Sequence, residues 1–353
     1  HDEWVSQAFS LAEGQLRACR GGLGGRYWEV ETSTQDYLHS FSAVGTTTMA
    51  DQEVVSAIKT RLHALPRDIL IGLCSPRSCD EDEVRKFVWP QYLARFLLFD
   101  FALPPPGREY FKLQEMVAWS DLRLDFVVGG VCHCGTNSLR KNLLSHRDVA
   151  ITIDGEDQWF SRHTRSLPYR SEVESFNRAW TDTGRGGSRP KGLAHPSTFE
   201  DSRTRQILSR MPDLRLVFII CDPVGRVEKE LWWRHVCHEG RKPEGPCWSS
   251  LGAFLAAPEA PQELDKELMG ERLQSLLELT GKRMRVLHQD SLRIAPRRTY
   301  NSLAAFLGAG PFPANQRFGR YNHLGGHRTE LCLNRSVLAH MKDLLAHEYV
   351  AFE

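Results

Sequence analysis

The chain has 353 residues and a nearly balanced charge, with 45 basic and 44 acidic side chains and a net charge of +1. This balance argues against nucleic acid as a partner, and no apolar run is long enough to span a bilayer. The length favours two domains, or one large domain with an extension. Because the first residue is His1, we expect any membrane attachment to depend on a removed N-terminal anchor.

The first elements in chain order predict a mainly helical N-terminal extension. One amphipathic helix is predicted by three apolar residues at helical spacing, Val54, Ile58 and Leu62. Asp80 and Glu83 form a capping-box start for a second helix, which Pro90 would kink or end. The proline-rich run at 104–107 is the clearest linker. We therefore expect residues 1–118 to form the extension and residues 119–353 the main domain.

Nine cysteines are many for a cytosolic enzyme and too few for a disulfide-built scaffold. We expect Cys74 and Cys79 to be oxidised, to each other or to Cys19, which would pin the extension. Cys237 and Cys247 flank a turn-rich loop and are predicted to pair. The odd count leaves at least one thiol without a partner in the chain. With the glycosylation sequon at Asn334, this usage indicates the lumen of the secretory pathway (Golgi) or secretion.

The segment at 72–79 resembles a known cysteine-bearing motif. Its sequence, GLCSPRSC, followed by acidic residues, is similar to the corresponding segment of the NRF-type extracellular domain. The match covers about thirty residues. We interpret this region as a helical extension that packs on the main domain.

The segment 124–144 reads as strand, tight loop and helix. An apolar run ends at Gly129 and Gly130, and leucines resume at helical spacing from Leu139. Between them Gly135 permits a close backbone approach. A helix start presents free N–H groups and a partial positive charge, which suits a phosphate. The Walker pattern is absent, because no Gly-Lys-Ser/Thr follows.

Strands and helices alternate after the linker. Further strands are predicted at 149–153, 214–220 and 284–288, with helical patterns between them that stop at Gly281 and Gly308. Such alternation predicts an α/β fold with a central parallel sheet flanked by helices. Ligands in such sheets bind beyond the carboxyl ends of the strands.

Three motifs in this domain resemble those of the sulfotransferase family, and their order agrees. The segment 129–139 resembles the family's G-x-x-K-x-G-T-x-x-L loop for the 5′-phosphosulfate. The segment 222–226 resembles its DPV-x-R segment, and 286–308 its VL-x-x-E-D-L … P … FLG stretch. The resemblance covers roughly residues 120–353, is closest in style to Golgi carbohydrate and glycosaminoglycan O-sulfotransferases, and implies a P-loop-like fold with 3′-phosphoadenosine 5′-phosphosulfate (PAPS) as donor.

The same resemblance implies the candidate site residues. Glu156, in a segment similar to the K-E-x-x-F-F of the glycosaminoglycan enzymes, is expected to be the catalytic base, since a carboxylate can take the acceptor's proton. His133 and His195 stand where the family has lysines and are predicted to act in catalysis. The predicted cofactor-binding residues are Cys134, Gly135, Thr136, Asn137, Ser138, Arg226, Lys229 and Arg328. Cys221 replaces the arginine of the R-D-P pattern, and no metal is expected.

Two other functions are compatible with the substitutions. A sulfotransferase-like domain with a degraded cofactor site could serve as a binding or assembly module. Phosphoryl transfer shares the loop geometry, but the P-loop lysine is missing. A metal site at Cys132–Cys134 lacks a second ligand pair of convincing spacing.

The acceptor is expected to be a carbohydrate or small molecule bearing a hydroxyl or amine. A basic rim after Glu156 could hold an acidic glycan, unless it is simply a solvated loop. This rim comprises Arg162, Arg165, Arg170, Arg178, Arg185, Arg189 and Lys191. The sequence does not indicate the oligomeric state.

Overall fold

The structure is a computed structural model and describes residues 2–33, 56–57, 60, 68–96, 111–151, 159–160, 165–182, 189–196, 201–236, 248–321 and 334–352. The chain divides into two compact units. One comprises Glu3–Leu122 with Arg165–Arg178, and the other comprises Arg123–Thr164 with Ala179–Glu353. The sequence placed the boundary between residues 118 and 119, and it did not indicate that residues 165–178 join the first unit.

The first unit contains an antiparallel three-stranded sheet that the sequence analysis did not predict. Strand β1 (Gly25–Ser33) lies between β2 (Asp68–Pro76) and β3 (Phe111–Met116). On one face Trp28 and Val30 pack into a buried cluster with Leu73 and Leu113. Apolar and acidic residues alternate along β1 with the period of two that a half-buried strand requires, so this signal was present in the sequence.

Helices complete the first unit. Helix α1 (Asp2–Arg17) continues into a π-helical turn, Ala18–Gly22. The predicted capping box is confirmed, because the Glu83 amide donates to Asp80 (2.8 Å) and the Asp80 amide donates to Glu83 (2.9 Å). Helix α2 (Glu81–Glu83) passes through a π-helical turn, Val84–Val88, into α3 (Trp89–Phe96).

Pro90 does not end this helix, which continues to Phe96. The π-helical turn directly before the proline relieves the missing hydrogen bond and steric conflict that Pro imposes on a regular helix. The predicted helix through Val54, Ile58 and Leu62 and the linker at 104–107 lie outside the described residues.

A disulfide joins Cys19, which follows α1, to Cys74 on β2, with a Cα–Cα distance of 5.6 Å. Of the two pairings that the sequence allowed for Cys74, the structure contains the one with Cys19. Cys79, which we expected to be oxidised, is half-buried and free, so this part of the prediction is wrong. The predicted partners Cys237 and Cys247 lie outside the described part of the chain.

The second unit is built on a five-stranded parallel sheet of order β5-β6-β4-β7-β8. This confirms the predicted α/β fold with a central parallel sheet. The strands are β4 (Phe126–Gly130), β5 (Ala150–Ile151), β6 (Lys191–Ala194), β7 (Arg215–Ile220) and β8 (Met284–His288). All residues of β4 are buried, as both-face coverage of a parallel strand requires.

Strand β6 was not predicted. It has four residues and only one large apolar side chain, Leu193. Gly192 is required there because the Phe126 ring of β4 occupies the space that a β-carbon would need. Such a short strand is defined by its pairing with neighbours, which local sequence does not specify.

Helices flank the sheet, and Gly281 and Gly308 end two of them as predicted. The helices of the second unit are α4 (Thr136–Leu144), α6 (Ser202–Ser209), α7 (Pro223–His235), α8 (Leu251–Leu255), α9 (Ala260–Lys266), α10 (Gly270–Thr280), α11 (Gln289–Ile294), α12 (Pro296–Leu307), α13 (Arg335–Leu344) and α14 (Ala346–Phe352), whereas most of α5 (Arg170–Asp182) belongs to the first unit. Among the residues that the structure describes, no helix is both long and apolar enough to cross a membrane.

The Cys19–Cys74 bridge is expected to stabilise the first unit. It spans 55 residues, so the loop-entropy relation predicts that Cys19→Ser with Cys74→Ser lowers the free energy of unfolding by about 4 kcal/mol. Hydrogen exchange of the β1 amides, which are paired on both sides, measures this loss. Cys79→Ser is the matched control and should change protection little. Equal protection in the double variant and the control would contradict a stabilising bridge.

Candidate functional site

The sheet order brings two loops together at one edge. Strands β4 and β7 are adjacent and parallel, with Gly130 opposite Ile219, and the Val131 amide donates to the Ile219 carbonyl at 3.2 Å. The loops after the two strands therefore emerge side by side at the carboxyl edge. These are the two segments that resemble sulfotransferase motifs in the sequence.

The first loop turns tightly into α4. The Cys134 amide donates to the Val131 carbonyl at 3.2 Å, and Gly135 precedes the helix with φ 98°. Among the described residues no side chain caps this helix start. The first-turn amides of α4 therefore have no acceptor within the helix, and the helix dipole adds partial positive charge. This arrangement suits a phosphate or sulfate group.

Thr136, the first residue of α4, is buried, and its Oγ1 has no hydrogen-bond partner among the described residues. A buried hydroxyl without a partner costs free energy, so such a group in a native structure calls for an explanation. The uncapped helix start next to it supplies one. An oxyanion held by the amides would also accept from this hydroxyl, so the loop fits the 5′-phosphosulfate that the resemblance implies.

A disulfide joins the two loops. Cys134 of the first loop is bonded to Cys221, which directly follows β7, with a Cα–Cα distance of 5.2 Å. The sequence analysis did not predict this bridge, and the two residues are 87 positions apart. The thiol of Cys134 is thus not available to a cofactor, so only its backbone could take part in the predicted cofactor binding.

His133 contacts the helix of the second loop. Its Nε2 lies 2.9 Å from Oε2 of Glu230 on α7, and its backbone is left-handed, with φ 67°. Burial would raise the pKa of Glu230, but the hydrogen bond from His133 and the charges of Arg234 and Arg226 outweigh burial, so the pKa lies below its usual value. Glu230 was not predicted from the sequence, because a glutamate inside a helix carries no distinguishing local signal.

Glu230 belongs to a network of ion pairs. Arg234 lies 2.5 Å from Glu230 and 3.0 Å from Glu267, and Arg226 lies 2.9 Å from Glu267. Arg226 also donates to the Glu267 carbonyl and is only 3% exposed. This predicted cofactor residue is therefore committed to Glu267. Lys229 on the same helix is half-buried and makes no ion pair within the part of the chain that is described.

Asn137 and Ser138, also predicted to bind the cofactor, have structural partners. The Asn137 Oδ1 accepts from Arg140 at 3.0 Å. The Ser138 hydroxyl donates to the Tyr321 carbonyl (3.0 Å) and accepts from the Tyr321 amide (2.9 Å). Their backbone amides lie in the first turn of α4, and therefore have no hydrogen-bond acceptor within the helix.

Of the other predicted site residues, one lies at this edge and two are not described. His195 directly follows β6, is buried, and its amide donates to the Val128 carbonyl at 3.0 Å, so it shares the carboxyl edge with the first loop. The Gln289 Nε2 lies 3.0 Å from where a β-carbon on Gly135 would stand, a neighbour that sequence reasoning missed. Glu156 and Arg328 lie outside the described residues.

Asp222 has a structural role at the start of α7. Its Oδ2 accepts from the Gly225 amide at 2.7 Å, and its Oδ1 accepts from the Tyr349 hydroxyl at 2.6 Å. Burial and the hydrogen bond to Asp222 raise the pKa of Tyr349 to about 12. The aspartate of the DPV segment therefore caps one helix and anchors α14.

Two arginines of the predicted basic rim are neutralised within the first unit. Arg165 lies 3.7 Å from both Glu29 and Glu172, and Arg170 lies 2.6 Å from Glu115. Arg165 also lines a polar cavity of about 200 Å³ with Glu29, Glu31, Lys112, Gln114 and Tyr169. None of the predicted site residues lines this cavity, so we do not equate it with the site. Within the described residues no group of three His, Cys, Asp or Glu is arranged to hold a metal.

The left-handed backbone at position 135 requires a glycine, and this requirement can be tested. Gly135→Ala is expected to lower the free energy of unfolding by about 1–2 kcal/mol, because an L-residue at φ 98° is strained. Gly252→Ala is the control, since Gly252 is helical and its β-carbon would make an ordinary 3.4 Å contact with Val337. Urea unfolding of the two variants measures the difference. Equal stability would contradict the left-handed conformation.

Comparisons with known proteins returned solved structures only; no family model and no curated protein matches. A sulfotransferase from Alicyclobacillus acidocaldarius is 18% identical, with TM-score 0.45, over 65% of this chain and 95% of that one. Mouse sulfotransferase SULT7A1, complexed with PAP, is 15% identical, with TM-score 0.32, over 54% and 61%. Sulfotransferase STF9 from Mycobacterium avium is 13% identical, with TM-score 0.31, over 89% and 80%. The structures that this chain is similar to here are sulfotransferases, the family that its three motifs resemble.

Proposed function

We propose that this protein is a sulfotransferase that uses PAPS as donor and transfers the sulfuryl group to a hydroxyl or amine of a carbohydrate or small-molecule acceptor. The observation that carries the proposal is the uncapped start of α4 beside the buried Thr136 hydroxyl, which has no partner among the described residues. Both features call for an oxyanion at the place where the family motif holds the 5′-phosphosulfate.

The donor would be held by residues of both loops. The first-turn amides of α4 and the Thr136 hydroxyl would bind the 5′-phosphosulfate, and His133 would add a donor next to them. Lys229 stands where the family has a serine and would contact the 3′-phosphate by its charge, and Arg328 would belong to the loop that closes over the cofactor. Bound PAPS supplies an activated sulfuryl group whose leaving phosphate gains negative charge. The helix start and nearby cations stabilise that charge.

Glu156 is the residue that would remove the acceptor's proton. The segment that carries it follows β5, which lies two strands from β4 in the sheet. A carboxylate there would take the proton of the acceptor hydroxyl at one of its oxygens. His195, at the end of the intervening strand β6, would act beside it. An acidic acceptor would depend on cations other than Arg165 and Arg170, which already have carboxylate partners.

An oxidising compartment, such as the lumen of the secretory pathway, is the location that we propose. Two disulfides within the described residues support it, since disulfides persist where thiols are not kept reduced. The sequon at Asn334 is compatible with this location, because Asn334 is exposed at the start of α13.

A binding or assembly module without catalysis is the second candidate. It is favoured by the internal commitment of three predicted cofactor side chains: Arg226 to Glu267, Ser138 to Tyr321, and Cys134 to Cys221. In this alternative the loops are structural and PAPS is not bound. The two functions differ in whether the bisphosphate product binds.

Thr136→Val tests whether the buried hydroxyl serves a ligand. The change keeps the side chain's shape and should weaken binding of adenosine 3′,5′-bisphosphate roughly 10- to 100-fold, the value of a hydrogen bond to a charged group. Stability should not fall, because the hydroxyl has no partner among the described residues. Thr280→Val is the control; its hydroxyl donates to the Leu276 carbonyl at 2.6 Å, away from the loop. Calorimetry showing equal affinity for the parent and Thr136→Val would refute the assignment.

Glu156→Gln separates catalysis from binding. Sulfate transfer from PAPS to a panel of acceptors should fall about 10²- to 10⁴-fold, the usual contribution of a general base, while affinity for the bisphosphate stays unchanged. Asp157→Asn, at the next position in the sequence, is the matched control and should retain transfer. Unchanged transfer by Glu156→Gln would remove the base assignment. If the parent protein binds no bisphosphate at millimolar concentration, the module function is supported instead.

A further inference from the structure

We propose that Glu230 is a positioning residue that holds His133 with its proton on Nε2, so that His133 takes up a second proton, on Nδ1, when the donor's anion binds. This inference rests on the proposed function and deepens it. It assigns to a histidine–glutamate pair the cationic role that a lysine has in the family motif. The proton comes from solvent and is returned when the anion leaves.

The geometry defines the tautomer. The distance between Nε2 of His133 and Oε2 of Glu230 is 2.9 Å, that of a charge-assisted hydrogen bond. A carboxylate accepts only, so Nε2 must be the donor. The neutral ring then has a lone pair on Nδ1, and this nitrogen can donate to an anion only after protonation.

Glu230 is the buried member of the pair, and His133 is the more accessible one. The Glu230 side chain is 9% exposed and the His133 side chain 23% exposed. The loop backbone at His133 is left-handed, with φ 67°, a conformation that costs a non-glycine residue free energy. The contact with Glu230 offsets part of this cost and places the ring two residues before Gly135, at the start of α4.

The charged groups behind the pair are joined to one another in ion pairs. Two carboxylates, Glu230 and Glu267, are paired there with two guanidinium groups, Arg226 and Arg234. In the sequence, the ionisable residues of the loop and of α4 that are nearest to His133 are Cys132, Arg140 and Lys141. Protonation of His133 therefore adds one net positive charge, which an incoming anion stabilises.

Imidazole ¹⁵N spectra of the full chain test the tautomer without any ligand. At pH 8.5 the parent should show His133, assigned by its loss in His133→Asn, with the proton on Nε2. Glu230→Gln should shift His133 towards a mixture of tautomers. Glu263→Gln is the control, because it alters a different pair, His235 with Glu263 at 3.6 Å, and should leave the His133 signal unchanged. A parent His133 protonated on Nδ1 would overturn the proposal.

Calorimetry of adenosine 3′,5′-bisphosphate in buffers of different ionisation enthalpy tests the proton uptake. At pH 7.5 the parent should take up as much as about one proton per bisphosphate, the capacity of one imidazole. His133→Lys carries a permanent charge and should bind the bisphosphate without the proton uptake of His133. Any protons that this variant takes up measure the contribution of the bisphosphate itself. Glu230→Gln should lose most of it, and Glu263→Gln should keep it.

The outcomes distinguish the two proposals. Binding with equal proton uptake in the parent, His133→Lys and Glu230→Gln would overturn the role of the pair and leave the proposed function standing. Failure of every variant to bind the bisphosphate would overturn the proposed function. That result would also overturn the proton uptake on anion binding, even if the spectra show the expected tautomer. A Glu230→Gln variant that unfolds is recognised by its spectrum. In that case the comparison of the parent with His133→Lys tests the proton uptake by itself.

Discussion

The parallel pairing of β4 with β7 is the constraint on which the candidate site depends. These two strands are separated by more than eighty residues of chain, yet they run side by side through five residue pairs and are completely buried apart from Arg215. Because the side chains of both strands are apolar on both faces, the pair is stable only inside a sheet covered by helices. Pairing in this register places the ends of both strands, and hence both loops, at one edge.

Two cross-links then hold the loops together. The disulfide between Cys134 and Cys221 joins the first loop to the end of β7, and the contact between His133 and Glu230 joins it to α7. Adjacent residues of the first loop thus contact two successive segments of the second. The loop conformation that presents the amides of α4 is therefore set by tertiary contacts as well as by the glycine at 135.

The ion-pair network on α7 gives this helix a second function beyond packing. Arg226, Glu230 and Arg234 recur every four residues, so they lie on one face of the helix. That face meets Glu267 after α9 and His133 of the loop. Buried charges are tolerated only when they are paired, and here the pairing extends from the interior to the loop. The same arginine that the family motif would use for the cofactor therefore serves to bury a carboxylate.

The sequence by itself determined the elements that have strong local patterns. The apolar runs of β4, β7 and β8, the glycines that end α10 and α12, and the capping box at Asp80 could all be predicted, because each follows from the physical preference of a short segment. The three ordered motifs likewise indicated the two loops that the structure brings together. The alternation along β1 was equally visible, but the whole extension was expected to be mainly helical.

Only the tertiary structure decided the rest. The four-residue strand β6 exists because β4 and β5 lie on either side of it, and the Cys134–Cys221 bridge requires two strand ends that the sequence places 87 positions apart. The partners of Arg226, Ser138 and His133 come from distant segments, and so does the absence, within the described residues, of a partner for the Thr136 hydroxyl. Local sequence specifies which atoms can donate or accept, whereas long-range packing decides which of them meet.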